Sequence, residues 1–331
     1  MKSETMILNN KNNVTLTTYL LDSSNEFGNI TTRPAVLVLP GGGYMMCSDR
    51  EAEPIAMSYA AEGYNAFVLR YSVAEHAQWP NPLEDAEAAL ELIRLKGSEW
   101  GIDTEKIAVI GFSAGGHLAA ALSTIGRVKP NAMILGYPCI LEEISNILAT
   151  RVPGLDDKVD SETPPAFLFT TRDDNVVPAR NTIRFLDALD KADVPYEAHI
   201  FYSGMHGMSL AKSHTSSGYR GNVSTNNGKW FEQSMTWLKQ VFGDFKTDSI
   251  DIDMKVENDS LIYGIDNAIK ELLNNSACRE ILVSKIPVFA NGELMISKLN
   301  ISLRKMSQYA KGVVTPELLD EIEAELNKVR R

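Results

Sequence analysis

The chain has 331 residues, of which 44% are hydrophobic and 23% charged, which excludes a disordered or fibrous protein and leaves room for one large α/β domain plus a small module. A formal net charge of −11 argues against a nucleic-acid partner and for a neutral or weakly charged one. No stretch approaches the ~20 apolar residues of a membrane span, and Met1 to Asn10 lack the apolar segment of a secretory leader. Cys47, Cys139 and Cys278 are widely spaced and form no CxxC, so they read as reduced thiols and predict a cytoplasmic protein without a membrane partner.

Met6 to Leu21 partly alternate apolar and polar residues and predict antiparallel strands at a sheet edge. Ala35 to Leu39 are continuously apolar, as in a strand buried on both faces. Pro40-Gly41-Gly42-Gly43-Tyr44 follow directly. Consecutive glycines let backbone N–H groups approach a substrate carbonyl unobstructed, so Gly42 or Gly43 is expected to supply one donor of an oxyanion hole. A nucleotide phosphate loop is the competing reading, but the GxGxxG spacing and the Walker lysine are missing. Helical segments are predicted over Glu51 to Glu62 and Pro82 to Lys96, with a strand at Ala66 to Tyr71 between them.

The strand Ile107 to Ile110 leads into Gly111-Phe112-Ser113-Ala114-Gly115-Gly116, and a helical segment, Ala114 to Ser123, leaves it. The G-x-S-x-G pattern alone arises by chance in about one chain of this length in ten, given roughly 7% background at each fixed position. The strand–turn–helix setting raises it to a nucleophile elbow with Ser113 at its apex and the Ala114 N–H as the other oxyanion donor. Strand candidates recur at Ala132 to Leu135, Ala166 to Phe169 and Glu197 to Phe201. Helical ones recur at Ala179 to Lys191 and Trp230 to Val241, the alternation of a doubly wound, mostly parallel sheet.

A serine nucleophile needs a base. Of five histidines, His117 follows Ser113 by four residues on the elbow helix and points away from the sheet top, and His199 lies inside a strand. His76 and His214 are loop outsiders, whereas His206, in Ser203-Gly204-Met205-His206-Gly207, lies just past the last strand, at the edge where active sites assemble. The orienting acid is expected between serine and histidine in the chain. Asp173 and Asp174, after the strand Ala166 to Phe169, both qualify; only one can hold the imidazole, and the other is expected to be solvated or helix-capping.

After about Asp244 the pattern changes. Asp248 to Asp253 show no helical period, and short helices broken by Pro287, Gly292 and Gly312 follow. Thr315-Pro316-Glu317 is a helix start, and Leu318, Ile322, Leu326 and Val329 form an apolar stripe. The expected division is a catalytic domain over 1–248 and a mainly helical module over 249–331.

Laid out together, LPGGGY at Leu39 to Tyr44, SDREAEPIA at Ser48 to Ala56, LRYSV at Leu69 to Val73, PNPLEDAEAALELIR at Pro80 to Arg94, IGFSAGGHLAA at Ile110 to Ala120, TRDDNVVP at Thr171 to Pro178 and SGMHG at Ser203 to Gly207 resemble the acetyl-xylan-esterase and carbohydrate-esterase branch of the α/β-hydrolase superfamily. The resemblance implies the α/β-hydrolase fold and a cofactor-free, metal-free serine esterase acting on short acyl esters, with acetylated sugars or xylo-oligosaccharides as substrates. Many relatives carry the triad acid in D-x-x-V-P, the register of Asp174 to Pro178. Peptidase relatives with D-D-N-V favour Asp173, and the proline register gives preference to Asp174. Arg50-Glu51 fits a place near the pocket and, equally, a charged first helical turn. Pro40 stands where many lipase-like relatives have histidine, so the support of the glycine loop must differ. A small peptidase or amidase of the prolyl-oligopeptidase or arylformamidase type is the alternative on the same fold, homo-oligomerisation is left open, and so is a lid role for Cys139 to Pro164. Residues from about Leu272 onward resemble a helical module appended to bacterial carbohydrate-active enzymes.

Overall fold

The apolar runs become the strands of an eight-stranded sheet. In the computed structural model, which describes residues 1–245, 262–291, 301–309 and 314–329, the chain divides into two units, Met1–Lys246 and Thr247–Arg331. The first holds β1 (Lys2–Asn9), β2 (Val14–Leu20), β3 (Arg33–Leu39), β4 (Asn65–Arg70), β5 (Ile102–Phe112), β6 (Ala132–Gly136), β7 (Ala166–Thr171) and β8 (Tyr196–Phe201). Their order is β1-β2-β4-β3-β5-β6-β7-β8. β2 pairs antiparallel with β1 and β4, and β3 to β8 are mutually parallel, an α/β-hydrolase architecture.

Successive strand residues point to opposite faces, and both faces are covered, so the central strands are apolar throughout. Leu37, Val109, Leu135 and Leu168 face one core, with Leu90, Leu118 and Phe185 from helices Asn81–Leu95, Ala114–Thr124 and Arg180–Lys191. Val38, Ile110, Ile134 and Phe169 face the other, with Tyr59 and Trp230 from helices Glu53–Ala61 and Trp230–Phe242. Removing a fully buried ring such as Phe112 would cost about 3–5 kcal/mol, the lost burial plus the cavity left behind.

Parallel pairing brings the strands' C-terminal ends to one edge. Leu39 lies opposite Gly111, Phe112 opposite Gly136, Gly136 opposite Phe169, and Thr171 opposite Phe201. The glycine loop, the Ser113 turn, Tyr137, the two aspartates and the His206 loop therefore leave the sheet side by side.

Two expected elements differ in extent. The helix expected from Glu51 starts at Glu53, with Pro54 in its first turn, and Asp49–Glu51 form a separate 3-10 turn. Proline fits a first turn, where its missing N–H costs nothing, so it sets the start. Glu51 is thereby buried, 3% exposed, rather than solvated. β5 also reaches back to Ile102 through Asp103, Thr104, Glu105 and Lys106, which an apolar pattern misses because they are polar, Glu105 exposed and the other three half-buried.

The second unit contains helices Ile269–Asn274, Ser276–Lys285, Leu303–Tyr309 and Pro316–Leu326 around Ile265, Leu272, Leu282, Leu303 and Ile322. Thr315 Oγ1 accepts from the Leu318 N–H at 3.3 Å, capping the last helix. Ile322 and Leu326 of the stripe are fully buried, while Leu318 and Val329 pack at the margin. Pro287 follows the helix that closes at Lys285; Gly292, Gly312 and the 248–253 segment lie outside the described residues.

Candidate active site

β5 stops at Phe112, and the chain turns so sharply into helix Ala114–Thr124 that Ser113 adopts φ 54° and ψ −117°. Three backbone bonds hold that strained residue: its N–H donates to Gly136 O at 2.9 Å, and its carbonyl accepts from His117 and Cys139 at 3.0 Å each. The turn has no room for a side chain at its second glycine. A methyl on Gly115 would lie 2.1 Å from the Leu39 carbonyl oxygen.

Ser113 Oγ lies 2.8 Å from His206 Nε2, and His206 Nδ1 lies 2.7 Å from Asp174 Oδ2. A carboxylate only accepts, so Nδ1 carries the proton and Nε2 is free to accept from the serine hydroxyl. Asp174 Oδ1 accepts the N–H groups of Val176 and Val177, both at 2.9 Å, so its side chain, fully buried, is fixed by three donors. The Pro178 register thus marks the aspartate whose own turn locks it.

Of the two alternatives expected for Asp173, solvated or helix-capping, the structure shows the first. It is exposed, yet its Oδ1 accepts the Gly204 N–H at 2.9 Å, and Asn175 Oδ1 takes the His206 N–H at 3.3 Å. Alternate side chains of this turn therefore hold the histidine loop while Asp174 holds the ring. The helix-cap alternative fails because the loop curls back to Gly204 before helix Arg180–Lys191 begins.

The glycine loop is pinned through its carbonyls. Tyr71 OH donates to Pro40 O at 2.5 Å, Ser48 N–H to Gly41 O at 2.9 Å, Met45 N–H to Gly42 O at 3.0 Å and Ala149 N–H to Gly43 O at 2.9 Å. Among the described residues, the N–H groups of Gly42, Gly43 and Ala114 have no acceptor in the chain. Anchored carbonyls with unpaired amides are what an anion site requires. The first residue of the loop, Pro40, is thus supported by Tyr71.

The Gly41 N–H is committed elsewhere, to Glu51 Oε2 at 2.9 Å. Glu51 Oε1 accepts from Tyr137 OH at 2.6 Å, and Tyr137 OH accepts the Ser209 N–H at 3.0 Å. Burial first, then the neighbouring Glu51 charge, pushes the Tyr137 phenol well above its ordinary value, so it stays a donor. Its ring meets the His206 ring edge-on, centroids 5.0 Å apart. Arg50 Nη1 reaches the carbonyls of Gly207 at 2.6 Å and Thr215 at 3.1 Å. Arg50 and Glu51, in the charged turn before helix Glu53–Ala61, thus reach the glycine loop, Tyr137 and the loop after His206. Tyr137 was not singled out in the sequence, although Gly136-Tyr137 closes a strand on the active edge.

The other histidines do not reach Ser113. His117 is fully buried, accepting Tyr44 OH at Nδ1 (2.8 Å) and facing Pro153 O with Nε2 (2.9 Å); burial pushes its pKa down to about 4. His199 pairs with Glu197 at 2.8 Å on the edge strand β8, half-buried instead of in the core, because β8 has no outer neighbour among the described residues. His76 and His214 sit in short surface turns. Cys139 Sγ lies 4.0 Å from Ser113 Oγ, and burial pushes its thiol up to about 12, which keeps it protonated and non-nucleophilic. A cavity of about 840 Å³ between Trp79, Leu141, Pro153 and Arg180 is not lined by Ser113 or His206; hydrogen-bond geometry, not volume, locates the chemistry. The Cys139 to Pro164 segment is tied to the rest of the unit by the Ala149–Gly43 bond and by the contact of Pro153 O with His117. Among the described residues no group of His, Cys, Asp and Glu could hold a metal, and no helix is long and apolar enough to cross a membrane.

A family model described as BD-FAE matches residues 24–133, and that of the prolyl oligopeptidase family matches 151–245. The solved structure of MGS-M1, an alpha/beta hydrolase enzyme from a Medee basin deep-sea metagenome library, is 47% identical and superposes with a TM-score of 0.69 over 73% of this chain and 98% of its own. That of an acetyl ester-xyloside bifunctional hydrolase from Caldicellulosiruptor lactoaceticus is 34% identical, with a TM-score of 0.61 over 70% and 89%. An acetylxylan esterase of Xylanibacter ruminicola is 28% identical over 67% of this chain and 51% of its length. The chain spans only 34% and 51% of the curated relatives it matches first.

Proposed function

Because the chain belongs to the α/β-hydrolase family, we propose that it is a carboxylic ester hydrolase with Ser113 as nucleophile, His206 as general base and Asp174 as the acid that orients it. The observation that carries this reading is the unbroken chain of contacts Ser113–His206–Asp174, at 2.8 and 2.7 Å, beside unpaired glycine-loop amides. In the first half-reaction Ser113 Oγ attacks the ester carbonyl as Nε2 of His206 takes its proton, and Asp174 stabilises the imidazolium. The oxyanion is received by the Ala114 N–H and by that of Gly42 or Gly43; one such donor is worth about 10² to 10³ in turnover. His206 then returns the proton to the leaving alcohol. Water, activated by the same histidine, hydrolyses the acyl-enzyme.

The substrate we favour is a short acyl ester on a sugar, in line with the names of the acetylxylan esterase and acetyl ester-xyloside relatives. Buried Cys139, beside Ser113, fills one flank of the nucleophile and suits a small acyl group. Three unpaired cysteines fit the reducing cytoplasm. A peptidase is the second reading, since the prolyl oligopeptidase family model covers the stretch carrying Asp174 and His206.

The test is hydrolysis of aryl acetate, butyrate and octanoate, acetylated xylo-oligosaccharides and a proline arylamide. A methylene more or less in a pocket is worth about 1–3 kcal/mol, so rates should fall steeply beyond about four acyl carbons. Fluorophosphonate should label Ser113 alone, and Ser113→Ala should lose several orders of magnitude. Preference for octanoate or for the arylamide overturns the substrate; a label elsewhere overturns the nucleophile.

A further inference from the structure

Glu51 is a buried carboxylate with no cation among its hydrogen-bond partners in the described residues. It accepts one N–H and one hydroxyl, Gly41 N–H at 2.9 Å and Tyr137 OH at 2.6 Å. Burying a charge costs several kcal/mol unless hydrogen bonds compensate. A carboxylate that serves only packing is readily replaced by an apolar side chain, so its location is informative.

Gly41 precedes the two glycines with unpaired amides and packs directly on the nucleophile: a methyl there would meet Glu51 Oε2 at 2.6 Å and Ser113 Cβ at 3.1 Å. On its other oxygen Glu51 holds Tyr137, whose hydroxyl takes the Ser209 N–H and whose ring abuts His206. Trp230 Nε1–H closes the far side on Ser209 O at 2.9 Å. One carboxylate therefore spans the two loops that must keep register with each other, the donor loop over Ser113 and the loop carrying His206.

We propose that Glu51, through Gly41 and Tyr137, sets the position of the oxyanion-donor loop relative to the Ser113–His206 pair, so that it is a positioning residue for the reaction and not merely a buried strut. The inference rests on the ester-hydrolase reading for Ser113. Its effect belongs to the transition state, because the ground-state ester does not need donors aimed at an oxyanion.

The experiment uses the full chain with Glu51→Ala, Glu51→Gln and Tyr137→Phe. Readouts are kcat and KM on 4-nitrophenyl acetate, the second-order rate of Ser113 phosphonylation by a fluorophosphonate, inhibition by a trifluoromethyl ketone and thermal unfolding. Glu51→Ala should lower kcat and the phosphonylation rate by about 10² to 10³ with KM changed by less than about threefold, the size of one lost oxyanion donor. Binding of the ketone, which becomes an oxyanion on the serine, should weaken in proportion. Glu51→Gln keeps an acceptor for Gly41 and should recover most of both rates. Tyr137→Phe should fall between. If Glu51→Ala fails to fold, Tyr137→Phe carries the test, and kcat and phosphonylation at wild-type rates in it would refute the proposal. A folded Glu51→Ala with unchanged phosphonylation, or with loss in KM alone, also refutes it. If the wild type is phosphonylated yet inactive on esters, the ester reading fails while the phosphonylation rates still judge Glu51.

Discussion

The two units bury different things. Around Ser113 the larger unit encloses Glu51, His117 and Asp174, each with named partners and none solvated. Among the described residues of the second unit the one buried polar side chain is Asn267. Its charged pairs, Lys285 with Glu321 and Glu325, and Arg304 with Asp266, stand in solvent. Exposed pairs are worth at most about 1 kcal/mol, so that unit is held by apolar packing. The contrast teaches where geometry is being fixed. Apolar contacts stabilise without specifying angles, whereas a buried carboxylate tolerates only the arrangement that satisfies it.

The sharpest break of this contrast is a change that keeps shape and removes charge. Asp174→Asn leaves the acceptor for the Val176 and Val177 amides but presents the wrong tautomeric partner to His206, and should lower kcat by about 10³ to 10⁴. Asp173→Asn keeps an oxygen for Gly204 and should cost less than about tenfold, since one neutral hydrogen bond is worth about 1 kcal/mol. Steady-state kinetics on 4-nitrophenyl acetate compares the two. A larger loss at Asp173 would mean that the ring is oriented by the neighbour.

A second test uses acid. All five histidines lie in the larger unit, and His117 has its pKa pushed down from 6.5 to about 4, first by burial. Unfolding lets it take up a proton that the fold refuses. Its contribution is therefore complete above pH 6.5 and is lost as pH falls toward 4, about 3 kcal/mol across the window at 1.36 kcal/mol per unit. His117→Gln retains a donor for Pro153 O and an acceptor for Tyr44 OH without titrating. Urea unfolding at pH 7 and pH 4.5 should show a loss in the wild type larger than in the variant by about 2–3 kcal/mol. Equal losses would place the acid sensitivity in the carboxylates instead.

What the sequence displayed follows the same division. The convergence of Ser113, the glycine loop, His206 and Asp174 was legible because each follows a strand of one parallel sheet, and the aspartate's register because Pro178 directly follows the turn that Asp174 forms with Val176 and Val177. The central strands were legible because burial on both faces leaves uninterrupted apolar runs. Glu51 and Tyr137 were not: a glutamate before Pro54 reads equally as a solvated helix start, and a tyrosine after Gly136 carries no motif. Their meaning comes from partners 86 residues apart in the chain, which no local pattern encodes. The exposure of Asp173 was legible too, but not its bond to the Gly204 N–H, which lies 31 residues on.

The smallest expected effect comes from removing residues 247–331. Every hydrogen bond described at the site joins residues between Pro40 and Trp230. The second unit contributes its own core around Leu272, Leu282 and Ile322, and its last helix, being amphipathic, needs that core because a free helix of such length is marginal in water. A shortened chain ending at Lys246 should therefore fold and keep kcat/KM on 4-nitrophenyl acetate within about threefold, less than 1 kcal/mol of transition-state binding. Small aryl esters probe the triad and the donor loop alone, so the same comparison on acetylated xylo-oligosaccharides separates chemistry from recognition of a long chain. A loss confined to the oligosaccharides would assign the helical unit to substrate recognition. A folded, shortened chain inactive on the aryl acetate would show that packing in the second unit, and not only the polar network of the first, fixes the geometry of Ser113.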